Sequence, residues 1–333
     1  EYTAQVLESM LGLDSLNKEN ETVRTAVDRI DDCMEQISEF YKKYLKLIEC
    51  IDGIKTGSNG VNFDKLKEIL EWHVENGTDG ILVLGTTGES STMTHEEDDA
   101  VVECTLQTIK GRIPVIVGSG SNCTETAVDK SKKYAAMGAD ALLVISPYYN
   151  KANAQGMIAH FTAVANAVDK PIILYNVPGR TGCSISEEAV RVLSKHPNIC
   201  GIKEASGNIA YAAGIARYLS DDFVMFSGND DMVIPLLSLG GSGVISVWAN
   251  IMPKEVHEMV HNYLNGNTEA ALATQLHYLD LIHALFIEVN PIPVKEALNM
   301  MDKDVGGYRL PLCEMEEAHH KALLHEMKEA GLC

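Results

Sequence analysis

A lysine inside an apolar segment is the first residue of this chain whose surroundings suggest chemistry. Lys203 lies in ICGIKEAS (199–206), and in a strand it would share one face with Ile199, Gly201 and Ala205. The two small residues would leave space beside it. Burial disfavours the charged form of lysine, and the neutral amine can attack a carbonyl carbon to give a Schiff base. We predict a nucleophile; the alternative is a lysine that extends out of the fold or pairs with a carboxylate.

A second apolar segment, IILYNVPGRTG (172–182), ends in a polar turn that carries a cation. Tyr175 could transfer a proton, and Arg180 could bind a carboxylate through two parallel hydrogen bonds. The alternative for Tyr175 is a core aromatic residue whose hydroxyl is satisfied.

Two further turns follow apolar segments. GTTGES (85–90) places hydroxyls and backbone N–H groups where they could surround a carboxylate, although it could equally be a glycine-rich turn with capping residues. PYYN (147–150) adds a tyrosine pair, which could serve the same site or contact another subunit.

The elements that must position these residues are short, continuous apolar runs separated by helical stretches. Such runs are typical of parallel strands buried on both faces. The predicted strands lie within 80–85, 113–120, 141–147, 171–178, 199–206, 223–230 and 243–250. Repetition of strand and helix predicts a parallel α/β fold. Seven strands plus one more favour the TIM (β/α)8 barrel over an open sheet, and no G-x-G-x-x-G follows the first strand.

The two ends of the chain are predicted to be helical. We predict an N-terminal helical extension over 1–52, a barrel core over 53–252, and a last barrel helix with a C-terminal helical appendage over 253–333. Within the extension, residues 21–51 have apolar residues every three or four positions, which predicts a long amphipathic helix. The eighth strand should precede the helix at 63–77, but the segment 47–60 is a poor strand, so the first barrel strand is in doubt.

Composition excludes several classes of protein. The 333-residue chain has a net charge of −20, which argues against a nucleic-acid partner. No apolar run is long enough for a membrane span, and no signal-peptide pattern is visible. None of the eight cysteines forms a C-x-x-C pair, and we see no histidine cluster at metal spacing, so we expect no metal site and no cofactor. Reduced thiols in a chain of this length favour a cytoplasmic location.

The motifs GTTGES, SPYYN, ILYNVPGRTG, GIKEAS and GVISVWAN, in this order and spacing, resemble the dihydrodipicolinate synthase (4-hydroxy-tetrahydrodipicolinate synthase) family. The resemblance covers about residues 61–333, including NPIPVKEAL (290–298). It places the chain among the class I, pyruvate-dependent aldolases, which also include N-acetylneuraminate lyase. It implies a lyase of lysine and diaminopimelate biosynthesis, with pyruvate and L-aspartate 4-semialdehyde as substrates.

The resemblance also implies roles for individual residues. Lys203 matches the lysine that forms the Schiff base with pyruvate, and Tyr175 matches the tyrosine that relays protons at that carbon. Thr86 matches the hydroxyl that links this tyrosine to a second one, Tyr149. In the family, the residue that matches Tyr149 reaches in from a neighbouring subunit, which implies a homo-oligomer, by family resemblance a dimer of dimers.

The resemblance to the family also implies which residues contact the substrates. Thr87 matches a contact with the pyruvate carboxylate, and Ile245 a backbone contact near the same pocket. Arg180 matches the residue that binds the carboxylate of aspartate semialdehyde.

A candidate allosteric lysine site follows from the resemblance as well. The residues that match this cleft are Ser90, His95, Asn122 and Tyr148. Asp98 and Thr126 stand where a histidine and a glutamate are typical of lysine-sensitive members, so we expect weak or absent inhibition. A second departure is the missing Thr-Pro pair near 47–60, where Thr56-Gly57 is the nearest equivalent.

Two alternatives remain open at this stage. One is a related aldolase that cleaves a sugar acid through the same pyruvate enamine. The other is a non-catalytic relative in which the helix at 21–51 drives assembly, an interpretation that rests on the abnormal first strand.

Overall fold

The chain forms a closed barrel of eight parallel strands, each of which pairs with its neighbours in sequence order. The structure is a computed structural model that describes residues 48–50, by their backbone, and 60–333. The strands are β1 (Ile48–Cys50), β2 (Ile81–Val83), β3 (Val115–Gly118), β4 (Ala141–Ile145), β5 (Ile172–Asn176), β6 (Ile199–Glu204), β7 (Val224–Ser227) and β8 (Gly243–Ser246). The predicted TIM barrel and all seven predicted strands are confirmed.

Helices alternate with the strands and cover the outside of the barrel. They are α1 (Phe63–Glu75), α2 (His95–Ile109), α3 (Thr124–Met137), α4 (Ala154–Ala165), α5 (Pro178–Thr181), α6 (Glu187–Leu193), α7 (Ile209–Ala216), α8 (Val233–Ser238) and α9 (Pro253–Leu264). A capping box begins α2, since Glu97 N–H donates to Thr94 Oγ1 and Thr94 N–H donates to Glu97 Oε2.

The C-terminal appendage is helical, as predicted. It comprises α10 (Thr268–His277), α11 (Leu279–Ala284), α12 (Ile292–Met300) and α13 (Glu317–Glu329). The helices α10 and α11 meet at Tyr278. In the part of the chain that the structure describes, no helix has both the length and the apolar character needed to cross a membrane.

The barrel has two apolar layers because the strands β2 to β8 are buried on both faces. Outward-facing residues pack against the helices, and a smaller inner cluster fills the lumen. The inner cluster includes Ile173, Tyr175, Phe226 and Ile245. Register pairs Lys203 with Tyr175 on one side and with Phe226 on the other, which places the lysine on the lumen face.

The first strand corrects the sequence prediction for 21–51. Residues 48–50 form β1 rather than the end of a helix, and they pair with both β2 and β8. These pairings satisfy backbone groups that an open seam would leave without partners, which outweighs the local helical periodicity. The barrel therefore begins before residue 53, inside the range assigned to the extension. The rest of that extension, and Thr56-Gly57, lie outside the described residues.

Candidate active site

Lys203 and Tyr175 form the centre of the site. Lys203 is only 6% exposed, and its Nζ lies 4.6 Å from the centroid of the Tyr175 ring. Adjacent parallel strands in register produce this contact, since the two residues are direct partners across β5 and β6. An amine and a phenol are thus held together in the lumen, as the alternation of residues along β6 predicted.

Glycine creates the space for the lysine, but not the glycine that the sequence suggested. A Cβ at Gly201 would lie 2.8 Å from the Val224 carbonyl oxygen, so this glycine permits the close approach of β7. A Cβ at Gly228 would lie 3.0 Å from Lys203 Cε. Gly228, which follows β7, therefore makes room for the lysine side chain.

A cavity of about 310 Å³ opens at the carboxyl ends of the strands. Five predicted site residues line it: Thr86, Ser90, Tyr148, Tyr175 and Arg180. Lys203 is not among the lining residues, but it contacts the ring of Tyr175, which is. The cavity is thus bordered by hydroxyl groups and a guanidinium, a lining suited to a small carboxylate.

Arg180 and Thr87 are connected through Asn290, the first residue of NPIPVKEAL. Arg180 Nη2 donates to the Asn290 carbonyl oxygen at 3.0 Å, and Asn290 Nδ2 donates to Thr87 Oγ1 at 2.8 Å. Thr87 and Asn290 are both buried. The segment that leads into α12 therefore links the arginine to the threonine turn, although these residues are far apart in sequence.

Glu204 and Asn176 fix the register beside the lysine and tyrosine. They are the next partners along β5 and β6, and Asn176 Nδ2 donates to Glu204 Oε2 at 2.7 Å. Asn176 Oδ1 accepts from the Ile185 N–H, and Glu204 Oε1 accepts from the Ser206 N–H. Burial raises the pKa of Glu204, and the hydrogen bonds from Ser206 and Asn176 act in the opposite direction. A one-residue slip of β6 would break this network and move Lys203 out of the lumen.

Asp230 holds the end of β8 in place and was missed by sequence reasoning. Its carboxylate accepts hydrogen bonds from Ser246 Oγ and from the N–H groups of Val247 and Trp248, at 2.6–2.9 Å. Burial raises its pKa, and the charge of Lys203 acts in the opposite direction. Asp230 thereby orients the backbone next to Ile245. An acidic residue directly after an apolar strand was the available signal.

A second buried lysine was also missed. Lys295 of α12 donates to Glu89 Oε2 at 3.0 Å and to the Gly307 carbonyl oxygen at 2.5 Å. Both members of the ion pair are almost fully buried. Glu89 belongs to GTTGES and has a left-handed φ of 51°. The pair ties the C-terminal appendage to the loop that carries Thr86 and Thr87.

The tyrosine pair of PYYN occupies two environments. Tyr148 lines the cavity, whereas Tyr149 is 90% exposed with a φ of 69°. In a single chain, therefore, Tyr149 lies at the surface rather than in the cavity lining.

The candidate allosteric residues are only partly brought together. Ser90 and Tyr148 line the cavity, and the Asn122 carbonyl oxygen accepts from Asn150 Nδ2. His95 Nδ1 lies 3.9 Å from a carboxylate oxygen of Asp98.

Asp98 itself is 1% exposed and pairs with Lys130, whose Nζ lies 3.1 Å away and which also lines the cavity. Burial raises the pKa of Asp98, and Lys130 opposes this shift. Asp98, for which the resemblance implies a histidine in lysine-sensitive members, is therefore one half of an ion pair.

The fold and the site together define an aldolase-type (β/α)8 barrel with a lysine in its lumen. The chain belongs to the dihydrodipicolinate synthetase family, whose sequence model matches residues 56–330. It is 51% identical over 273 residues to a 4-hydroxy-tetrahydrodipicolinate synthase of Lachnoclostridium phytofermentans, covering 82% of this chain and 93% of that one. A synthase of the same name from Thermoanaerobacter pseudethanolicus is 53% identical over 274 residues, covering 82% and 92%.

Solved structures agree with this assignment. The dihydrodipicolinate synthase of Cyanidioschyzon merolae, determined with lysine bound, is 40% identical with a TM-score of 0.84 and covers 87% of this chain and 99% of that one. A monomeric dihydrodipicolinate synthase variant is 36% identical with a TM-score of 0.85, covering 88% and 99%.

Proposed function

We propose that the protein condenses pyruvate with L-aspartate 4-semialdehyde, as a 4-hydroxy-tetrahydrodipicolinate synthase of lysine and diaminopimelate biosynthesis. The observation that carries this proposal is the placement of Lys203 against Tyr175 in the lumen, in a chain about half identical to proteins of that name. We also propose a cytoplasmic location, on the strength of this biosynthetic role.

In the first step, the neutral amine of Lys203 attacks the carbonyl carbon of pyruvate, and water leaves to give an imine. The carbonyl oxygen must gain protons before it departs. Tyr175 lies beside the amine, with its ring centroid 4.6 Å from Nζ, and we assign it this proton transfer. Thr86 lines the same cavity and is assigned to the relay. The carboxylate of pyruvate is assigned to Thr87, with Ile245 contributing backbone near the same pocket.

In the second step, the imine loses a proton from the methyl carbon and becomes an enamine. The enamine carbon attacks the aldehyde carbon of the semialdehyde, whose oxygen takes up a proton. The amino group of the semialdehyde then attacks the imine carbon and displaces Lys203, which closes the ring and releases the enzyme. Arg180 is assigned to the carboxylate of the semialdehyde, because it lines the cavity.

The relay also requires Tyr149, which we propose is supplied by a second subunit of a homo-oligomer, a dimer of dimers. The 90% exposure of Tyr149 in a single chain supports this assignment. Lys203→Ala and Tyr149→Phe chains, each impaired alone, should regain activity when unfolded together and refolded. In a mixed dimer, one site then has both residues. Activity no greater than the sum of the separate variants would place Tyr149 outside the relay.

The imine is tested by treating the protein with pyruvate and borohydride and locating the adduct by mass spectrometry. We expect it on Lys203 and no adduct in Lys203→Ala. Lys295 is an internal comparison, because it is a second buried lysine. An adduct on Lys295, or none, would refute the mechanism.

Substrate choice is tested by a coupled assay with pyruvate and the semialdehyde. Imine formation without turnover of the semialdehyde, but with cleavage of a sugar acid, would assign the chain to the sibling aldolases. If the protein neither turns over the semialdehyde nor cleaves a sugar acid, the result would support the non-catalytic alternative.

A further inference from the structure

Three side chains of metal-ligand type meet at the amino-terminal end of the barrel, opposite the candidate active site. Asp79 lies in the turn before β2, and His257 and His261 lie one turn apart on α9. His257 Nδ1 is 2.8 Å from Asp79 Oδ2, and His261 Nε2 is 3.3 Å from both carboxylate oxygens. The three ligand atoms lie within 4.8 Å of one another.

This cluster contradicts the expectation that the chain has no histidines at metal spacing. His257 and His261 are four residues apart on a helix, so they share one face, and their rings stack with centroids 3.9 Å apart. Neutral imidazole is the form that binds a metal, so a cation at this place would compete with any proton on the two rings.

We propose that Asp79, His257 and His261 form a binding site for a divalent transition-metal cation of the zinc type. The ligands would be His257 Nδ1, His261 Nε2 and one Asp79 oxygen, a donor set that suits Zn²⁺ and its neighbours in the first transition row. All three side chains are partly exposed, so water can fill the remaining position. Binding displaces the hydrogen between His257 and Asp79 and releases any proton on the rings.

The two distances from the imidazoles to Asp79 are close to those of such a site. Zinc bonds of about 2.0–2.2 Å in tetrahedral geometry put ligand atoms about 3.3 Å apart, the separation found between His261 and Asp79. The His257–Asp79 distance must open by only about half an ångström. Gly77 has a φ of 86°, which L side chains rarely adopt, so a glycine here permits the turn that precedes Asp79.

The position of the cluster suggests what a bound cation would do. Asp79 precedes β2, and α9 follows β8, and these two strands are the partners of the three-residue strand β1. A cation bound by Asp79 and by the histidines of α9 would connect the turn before β2 with the helix after β8, on the two sides of β1. It would stabilise the closed fold without taking part in the chemistry at the other end.

The experiment uses the full-length protein, stripped of metal with a chelator. Zn²⁺ is titrated by calorimetry, and Tm is recorded with and without the cation. The variants are His257→Gln, His261→Gln and Asp79→Asn, each checked for a native circular-dichroism spectrum. The matched control is His319→Gln, which removes an imidazole paired with a single carboxylate, Glu288, at the same 2.8 Å.

We expect one Zn²⁺ step and a rise in Tm in the wild-type protein and in His319→Gln. In each cluster variant that is folded, affinity for this step should fall by at least about tenfold, with loss of the rise in Tm. Co²⁺ should show a visible spectrum in the wild-type protein that His261→Gln lacks. Pyruvate imine formation should not change, which separates this proposal from the proposed function. No Zn²⁺ step, or a step and a rise in Tm that survive in the folded cluster variants, would overturn it.

Discussion

Arg180 is assigned to binding of the semialdehyde, whereas Lys203 is assigned to the imine with pyruvate, so the two roles can be tested separately. One of its five N–H donors contacts the Asn290 carbonyl oxygen, and a carboxylate at the cavity could accept from others. We expect Arg180→Ala to lower kcat/KM for the semialdehyde by the equivalent of about 2–4 kcal/mol, because a contact between charged groups is lost. Imine formation with pyruvate should change little.

The measurement is steady-state kinetics with each substrate varied, together with borohydride trapping. Arg180→Lys is the matched variant, since it keeps the charge but loses the paired geometry and should recover only part of the rate. Equal damage to trapping and to turnover would show that Arg180 supports the structure through Asn290 instead.

The strand face that a residue occupies could be predicted from the sequence, whereas contacts between separate elements could not. Lys203 and Tyr175 could be placed because alternation along a strand fixes which face a residue occupies. Asp230 and Lys295 could not, because their roles depend on contacts with other elements of the fold. Lys295 lies 206 residues from Glu89, and no local pattern distinguishes it from a surface lysine of an amphipathic helix.

At the scale of elements, the pair Lys295–Glu89 is expected to hold the GTTGES loop to α12. Lys295→Met should destabilise the protein by about 3–5 kcal/mol, because it leaves a carboxylate buried without its cation. It should also slow imine formation by loosening the loop that carries Thr86 and Thr87. Urea unfolding and stopped-flow trapping measure the two effects.

The double variant Glu89→Gln/Lys295→Met provides the control. Removing the charge from both sites should restore part of the lost stability, so the two single effects should not add. Additive losses would mean that the two residues act separately. Normal imine formation in a destabilised Lys295→Met would confine the pair to a role in stability.

The loop between α6 and β6 gives a pH dependence. His196 Nδ1 accepts from the Asn198 N–H, and Nε2 donates to Asn166 Oδ1, so both ring nitrogens are satisfied in the neutral form. Burial lowers the pKa of His196 from 6.5 to about 4. Between these two pH values His196 is protonated in the unfolded chain but not in the folded one. The free energy of unfolding therefore falls as the pH drops from about 6.5 to about 4.

We expect a loss on the order of 1–3 kcal/mol over this window, reduced in His196→Gln. Burial also lowers the pKa of His160, so a part of the pH dependence should persist in the variant. Urea unfolding at about pH 7 and about pH 4.5 gives the difference, with the exposed His325→Gln as control. Identical pH profiles for the wild-type protein and His196→Gln would contradict the assignment.

The elements themselves show where sequence patterns succeed and where tertiary contacts override them. The seven strands β2 to β8 lie in continuous apolar runs, and each is buried on both faces as the pattern requires. β1 is as short as β2 but includes the charged residue Glu49, and it has two paired positions to each neighbour. The conformation of β1 depends on pairing with β2 and β8, and the periodicity of the local sequence contains no information about these partners.

For the whole molecule, closure of the barrel determines which residues can be removed. β1 pairs with β2 on one side and with β8 on the other, so residues 48–50 complete the ring. A matched pair of deletions separates this strand from what precedes it. Deletion of residues 1–45 retains β1, whereas deletion of residues 1–52 removes it.

We expect the shorter deletion to leave a folded barrel that forms the pyruvate imine, with any change confined to stability or assembly. The protein with the longer deletion should show no cooperative unfolding transition and should not form the imine. Without β1, the strands β2 and β8 would each have an unpaired edge, and the barrel that positions Lys203 would be open. Unfolding curves, solution mass and borohydride trapping on both proteins measure this. If the shorter protein is folded with unchanged mass but cannot form the imine, residues before 46 contribute to the active site. Full imine formation by the longer deletion would instead mean that the barrel and Lys203 do not depend on β1.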